Sequence, residues 1–199
     1  GLQPEHKRGR QPKSFLWALI SFLVASLLMS TFSYADAPPS QDQILRKWYA
    51  VSLLLIRHTP TYSPPVASRA LAYLGVASYE AVASGPPMLR SLEGQLNGLS
   101  SLPQRDHHRV YDEAAVLQAT LSRVVTRLFA NTGPSGQQVI KRQTEEIDAA
   151  VQASVSSPAV LEASRDYGQD LADHLLAWAE TDGGDTIENM GFPWTYDLT

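Results

Sequence analysis

Apolar residues return every three or four positions along most of this chain and almost never alternate, a rhythm that predicts helices rather than strands. In "SQDQILRKWYAVSLLLIRHTP" Ser40 stands where an N-cap belongs. Ile44, Trp48, Val51 and Leu55 form one stripe, and the helix must end before Pro60. Leu53, Leu54 and Ile56 extend the apolar surface nearly all round its second half, the pattern of a helix buried in a core or in a membrane. A second helix is expected from Ser63, where "SPP" supplies cap and first-turn proline, to about Ser84. A third runs from about Tyr111 to Phe129 with Leu117, Leu121, Val124 and Leu128 on one face. The fourth, after "TGPSG", sets Ile140, Ile147 and Val151 against Lys141, Arg142, Glu145, Glu146 and Asp148, a half-exposed helix. The fifth opens at Ser157–Pro158 and carries Val160, Tyr167, Leu171, Leu175 and Trp178, ending at "TDGG", where Gly183 and Gly184 suit a left-handed cap. The chain is expected to be all-α.

The second helix is unusual in its side chains. "SRALAYLGVASYEAVA" is rich in Ala, with Gly75 in its middle, so neighbouring backbones can come close. Arg69, Tyr73, Val76 and Glu80 share one stripe, which suggests a buried Arg69–Glu80 arrangement bridged by Tyr73; burial would require full hydrogen bonding. After it, "GPPMLRSLEGQLNGLSSLPQRDHHR" is too long for a simple turn, and such connections are usually functional or wrap over something.

The start of the chain has a different grammar. Basic residues Lys7, Arg8, Arg10 and Lys13 lead into an apolar run from Phe15 to Met29, then small residues ending in "SYA" at Ala35. That order reads as a secretory signal peptide over residues 1–35, with residues 36–199 as the exported product, secreted or periplasmic. The alternative is an uncleaved anchor that touches the membrane through residues 14–35 only; the apolar run is short against the ~20 residues of a span. Without residues 1–35 the chain keeps 12 basic against 19 acidic residues, a net charge of −7. That acidity argues against nucleic acid as a partner. The absence of Cys removes disulfides, thiolate catalysis and Cys-based metal sites.

Candidate chemistry is sparse. His6 leaves with the leader, the adjacent His107 and His108 diverge in a loop, and His58 sits at a helix end where terminal carbonyls are its ordinary partners. His174 follows Asp170 at i, i+4, half a metal site without a second half, so a satisfied, partly buried His is expected. "TGPSGQQ" lacks the spacing of a nucleophile elbow and has Gln137 where a Pro-Ser-Gly-His motif needs His, so it reads as a helix start. Asp182, Asp185 and Glu188 do not match a calcium loop and read as a polar helix exit, and "QRDHHR" reads as a solvated basic loop.

Taken together, "SPPVASRALAYLGVASYEAV", "RSLEGQLNGL", "YDEAAVLQATL" and "YGQDLADHLLAWAETDGG" resemble, in that order, the N-terminal region of vanadium-dependent haloperoxidases and their bacterial relatives in the type 2 phosphatidic acid phosphatase superfamily. The likeness rests on Pro64, Pro65, Arg69, Ala70, Ala72 and Tyr79 to Val82 and spans most of residues 44–199. It implies an all-α helical bundle, the N-terminal part of a haloperoxidase-like or phosphatase-like domain. The enzyme it implies either activates hydrogen peroxide on vanadate to oxidise a halide or hydrolyses a phosphomonoester through a His nucleophile. Either oxyanion needs Lys and Arg on its equatorial oxygens, backbone amides and an axial His.

The three motifs that supply those groups, Lys-x6-Arg-Pro, Pro-Ser-Gly-His and Ser-Arg-x5-His, are absent from the chain. In the family they lie C-terminal to the matched region, so they are expected beyond Thr199. The start at Gly and the end in "GFPWTYDLT" fit the same expectation of a fragment. Catalytic, cofactor-binding and metal residues are therefore assigned as none; Arg69, Tyr73, Glu80 and Asp182 are structural candidates. Vanadate and a small-molecule substrate would belong to the full-length protein. The expected partner is its C-terminal helical core, with self-association a further option. Against that core the second helix should pack, and residues 36–199 alone should expose a large apolar face. The rival reading is a secreted or membrane-tethered helical interaction module without catalytic activity.

Overall fold

The computed structural model describes residues 38–185. Cα packing divides the chain into two units, Gly1–Asp36 and Ala37–Thr199. The leader reading over 1–35, the membrane contact of 14–35, Glu188 and "GFPWTYDLT" all lie outside the described residues. Five helices and no strands make up the described part: α1 (Gln41–His58), α2 (Pro64–Ala83), α3 (Glu113–Leu128), α4 (Pro134–Ser154) and α5 (Pro158–Glu180). None of them is long and apolar enough to cross a membrane.

The helix starts follow local chemistry. Ser40 and Gln43 form a reciprocal capping box on α1. Asp112 accepts from the Ala115 N–H at the start of α3, and Ser157 caps α5. Ser63 stands at the N-cap of α2 without a side-chain bond; Pro64 and Pro65 leave two fewer N–H groups to satisfy there. "TGPSG" is indeed a helix start, with Gly133 as N-cap and Pro134 following. Past α5, Gly183 takes φ +72°, the left-handed exit its position suggested.

The helix whose first half is buried all round is α3, not α1. Every residue from Ala115 to Leu121 on α3 is buried, and all four other helices pack on it. Its polar Gln118 and Thr120 are both taken inside, each with partners. Gln118 accepts from Trp48 Nε1 at 2.8 Å and donates to Asp148 Oδ1 at 2.9 Å, tying α1 to α4 through α3. Asp148, expected on the solvated face of α4, is thereby turned inward. α1 packs on one side only, so Leu53 and Leu54 remain 54% and 45% exposed.

The second helix finds its partners within the chain. Ala70, Leu74, Ala77 and Ala81 are at most 3% exposed, and α2 packs on α3 and α5. The expected large bare apolar face is not present among the described residues. The exposed large hydrophobics are Leu53 and Leu54 on α1, Tyr79 on α2, and Met88, Leu89 and Val110 in the long connection. That connection, 84–112, runs antiparallel to α5. Trp178 Nε1 donates to the Asn97 carbonyl (3.0 Å), His174 Nε2 lies 2.8 Å from the Ser100 carbonyl, and the Tyr167 hydroxyl donates to Pro103 (3.3 Å). Leu99 and Leu102, within the connection, are buried.

The tightest packing lies between α3 and α5. At Gly168 a Cβ would meet the Val116 carbonyl oxygen at 2.6 Å and Ala119 Cβ at 2.8 Å, while Thr120 Oγ1 donates across the interface to the Gly168 carbonyl at 3.0 Å. At Gly75, in the middle of α2, the nearest atom to a Cβ is Tyr49 Oη at 3.7 Å. Two substitutions of the same kind should therefore have opposite signs. Gly168→Ala should destabilise the protein by about 1–3 kcal/mol, because backbone cannot yield. Gly75→Ala should stabilise it by up to about 1 kcal/mol from helix propensity. Urea unfolding of both variants checks this.

Candidate functional site

Two polar clusters flank α2, and both use arginines. At one end Arg69 grips Asp182 with two bonds, Nε to Oδ2 at 2.8 Å and Nη2 to Oδ1 at 2.9 Å, and Nη2 also donates to the Ala179 carbonyl at 2.6 Å. Tyr73 donates to Asp182 Oδ2 at 2.8 Å and lies beneath the Arg69 guanidinium, its ring edge against Trp178. The Gly184 N–H closes the set on Asp182 Oδ1. Arg69, Tyr73 and Asp182, three of the four candidates, thus meet, although Asp182 is remote in sequence.

Glu80 is not with them. Eleven residues separate it from Arg69 on one helix, about 16 Å at 1.5 Å per residue, beyond any bridge through Tyr73. Its carboxylate turns to the long connection, accepting from Ser91 Oγ (2.9 Å) and the Leu92 N–H (2.6 Å). Nearby, Arg105 donates from both terminal nitrogens to Glu113 at 2.7 Å each and to Ser84 Oγ, between the rings of Tyr111 and Tyr167. The "QRDHHR" segment is therefore not simply a solvated loop: the Arg105 side chain is only 14% exposed, while His107 and His108 are indeed in solvent. Nothing local marks Arg105 as different from Arg109; its partners come from α3 and α5.

The Arg69 guanidinium holds the Asp182 carboxyl well below its ordinary value, at about 2. Burial opposes the shift, and the Gly184 amide and Tyr73 hydroxyl assist it. Burial first, and Asp182 second, push the Tyr73 phenol upward. Burial likewise drives Tyr62, stacked on Phe129 and donating to the Leu128 carbonyl, to about 12.

A third region is an open groove of about 570 Å³ over α3, walled by α4 and α5. Its charges are also paired: Arg123 with Asp173, and Arg127 with Glu180 and Asp185. Asp182 and Asp185 thus each neutralise an arginine at the helix exit. His174 is satisfied by Ser100, and among the described residues no three His, Asp or Glu side chains come together to hold a metal.

Across solved structures, the chain is similar to one described as the crystal structure of the first bacterial vanadium-dependent iodoperoxidase. Sequence identity is 26% and the TM-score 0.56, over 70% of this chain and 31% of that one. The fold is haloperoxidase-like. No family model and no curated protein matches the chain. Because the chain spans only 31% of its neighbour's length, the likeness speaks to the architecture of this part.

An oxyanion such as vanadate requires cationic side chains that are not already neutralised. Arg69, Arg105, Arg123 and Arg127, the arginines lining the cavities here, each have a carboxylate partner. Paired in this way, these residues do not fit the group.

The Arg69–Asp182 clamp is the element of this region whose energetics can be tested. Asp182→Asn should cost about 1–2 kcal/mol at pH 7, less than its pKa shift alone would suggest because the pair is partly screened by solvent. Since the folded pKa of Asp182 lies below its unfolded value, its contribution is complete above about pH 4 and is lost as pH falls through about 2. The stability gap between the variant and the parent, followed by urea unfolding from pH 7 downward, should close over that window.

Proposed function

We propose that this chain is the N-terminal scaffold portion of an exported oxyanion-site enzyme, and that peroxide-driven halide oxidation on vanadate is favoured over phosphomonoester hydrolysis. The observation that carries the proposal is the haloperoxidase-like fold, matched over 70% of this chain to a vanadium-dependent iodoperoxidase. The neutralised arginines support the division of labour: here they fasten helices and loops, and the anion-holding Lys, Arg and His belong to the remainder of the protein. Vanadate would supply a Lewis-acidic centre for peroxide there, and this part would position the helices around it. The substrate is a small molecule, and the principal partner of α1–α5 is the helical core of the same polypeptide.

The decisive experiment is to read the coding sequence downstream of Thr199 and assay the complete protein. Lys-x6-Arg-Pro, Pro-Ser-Gly-His and Ser-Arg-x5-His should appear in that order, and the purified protein should oxidise iodide with hydrogen peroxide only after vanadate is added. A stop codon directly after Thr199 would overturn the proposal in favour of a helical interaction module. Phosphatase activity without vanadate-dependent peroxidase activity would overturn the choice of halide oxidation.

A further inference from the structure

Beneath the long connection lies a cavity of about 160 Å³ that none of the structural roles above explains. Glu80, only 3% exposed, forms part of its wall together with Arg105 and Tyr167. Leu102 and Leu171, both buried, give it apolar sides, and the more exposed Leu89 and Gln104 stand at its rim.

The Glu80 carboxylate is out of balance with these surroundings. It accepts one hydrogen bond on each oxygen, from Leu92 N–H and Ser91 Oγ, both neutral donors. An ionised carboxylate offers about four acceptor positions, so roughly half remain open. Among the described residues no Lys, Arg or His lies within ion-pair distance of it. The one cation in the cavity wall, Arg105, is taken up by both oxygens of Glu113 and by Ser84. A buried carboxylate without a counter-charge is costly, and the usual remedy is a cation or a strong donor brought alongside.

We propose that this cavity binds a small organic ammonium ion, with the ammonium on Glu80 and a short alkyl part against Leu89, Leu102 and Leu171. The size is right: a cavity of about 150 Å³ accommodates benzene, so five or six non-hydrogen atoms fit here. The ammonium's three N–H donors meet the open acceptor positions of Glu80. Selectivity for charge follows from the unpaired carboxylate, and selectivity for size from the small volume of the cavity.

The test is an amide NMR titration of the full 199-residue chain with n-butylammonium, against 1-butanol and butyrate as neutral and anionic molecules of similar size. n-Butylammonium should give saturable shifts at the Ser84, Ser91 and Leu92 amides, with 1-butanol binding at least about tenfold more weakly and butyrate not at all. Glu80→Gln keeps an acceptor for the Leu92 N–H, so the connection should stay in place while the preference for ammonium disappears. Ala83→Leu, which fills the cavity wall and leaves Glu80 intact, should abolish binding of both n-butylammonium and 1-butanol. Equal affinity for the alcohol and the ammonium, absence of saturable shifts, or an ammonium preference that survives Glu80→Gln would overturn the proposal.

Discussion

The contact between α3 and α5 at Gly168 sets the geometry of everything else in this fold. With a hydrogen in place of a side chain there, the α5 backbone lies directly on Val116 and Ala119, and Thr120 Oγ1 spans the interface to the Gly168 carbonyl. Ser164 extends the same seam by accepting the Asp112 N–H, and Ala172 continues it as a small buried residue. Such close approach draws α3 into the middle of the bundle, where α1, α2 and α4 can all reach it. The cost is two polar side chains taken inside, and each is met: Thr120 by carbonyls of α3 and α5, Gln118 by Trp48 and Asp148.

From that seam outward, α5 acts as a rail for the long connection. Trp178, His174 and Tyr167 face carbonyls of Asn97, Ser100 and Pro103 in reverse order, which fixes an otherwise irregular segment whose backbone groups need partners. α2 holds the other side through Glu80, and Tyr79 donates to the Arg90 carbonyl. Packing beneath this segment is incomplete, so the cavity at Glu80 is a consequence of how the connection is hung between two helices.

Charge is used in this part of the protein chiefly as fastening. Arg69 joins α2 to the exit of α5, Arg105 joins the connection to α3, and Arg123 and Arg127 join α3 to α5 and its exit. Arg69, Arg123 and Arg127 bridge segments far apart in sequence, whereas Arg105 reaches Glu113 only eight residues on. An acidic chain can commit its arginines in this way because its carboxylates outnumber them; the same commitment leaves none lining these cavities to hold an anion. Scaffold and chemistry are thus separable in principle, and the haloperoxidase-like fold of this region does not itself require a reactive centre within it.

The periodicity of apolar positions was enough to find the five helices of the described residues, and serine and proline located the starts of α1, α2 and α5 to within about two residues. Those features are local: a 3.6-residue repeat and a capping hydroxyl act within a turn or two of themselves. Which helix would be central was not legible: α1, apolar nearly all round in its second half, keeps Leu53 and Leu54 exposed, while α3 becomes central once Gly168 lets α5 close on it. The Arg69 stripe was visible, but its partner Asp182 is 113 positions away, and Glu80, sharing the same face, is held apart by the rise of the helix. Arg105 looked like any charge in a polar loop until α3 and α5 brought Glu113 and Tyr167 to it. The sequence by itself determined the helices, because helix formation is read from neighbouring residues; only the tertiary structure decided their order around α3 and the pairing of Arg69 with Asp182, because those contacts join residues that the chain keeps far apart.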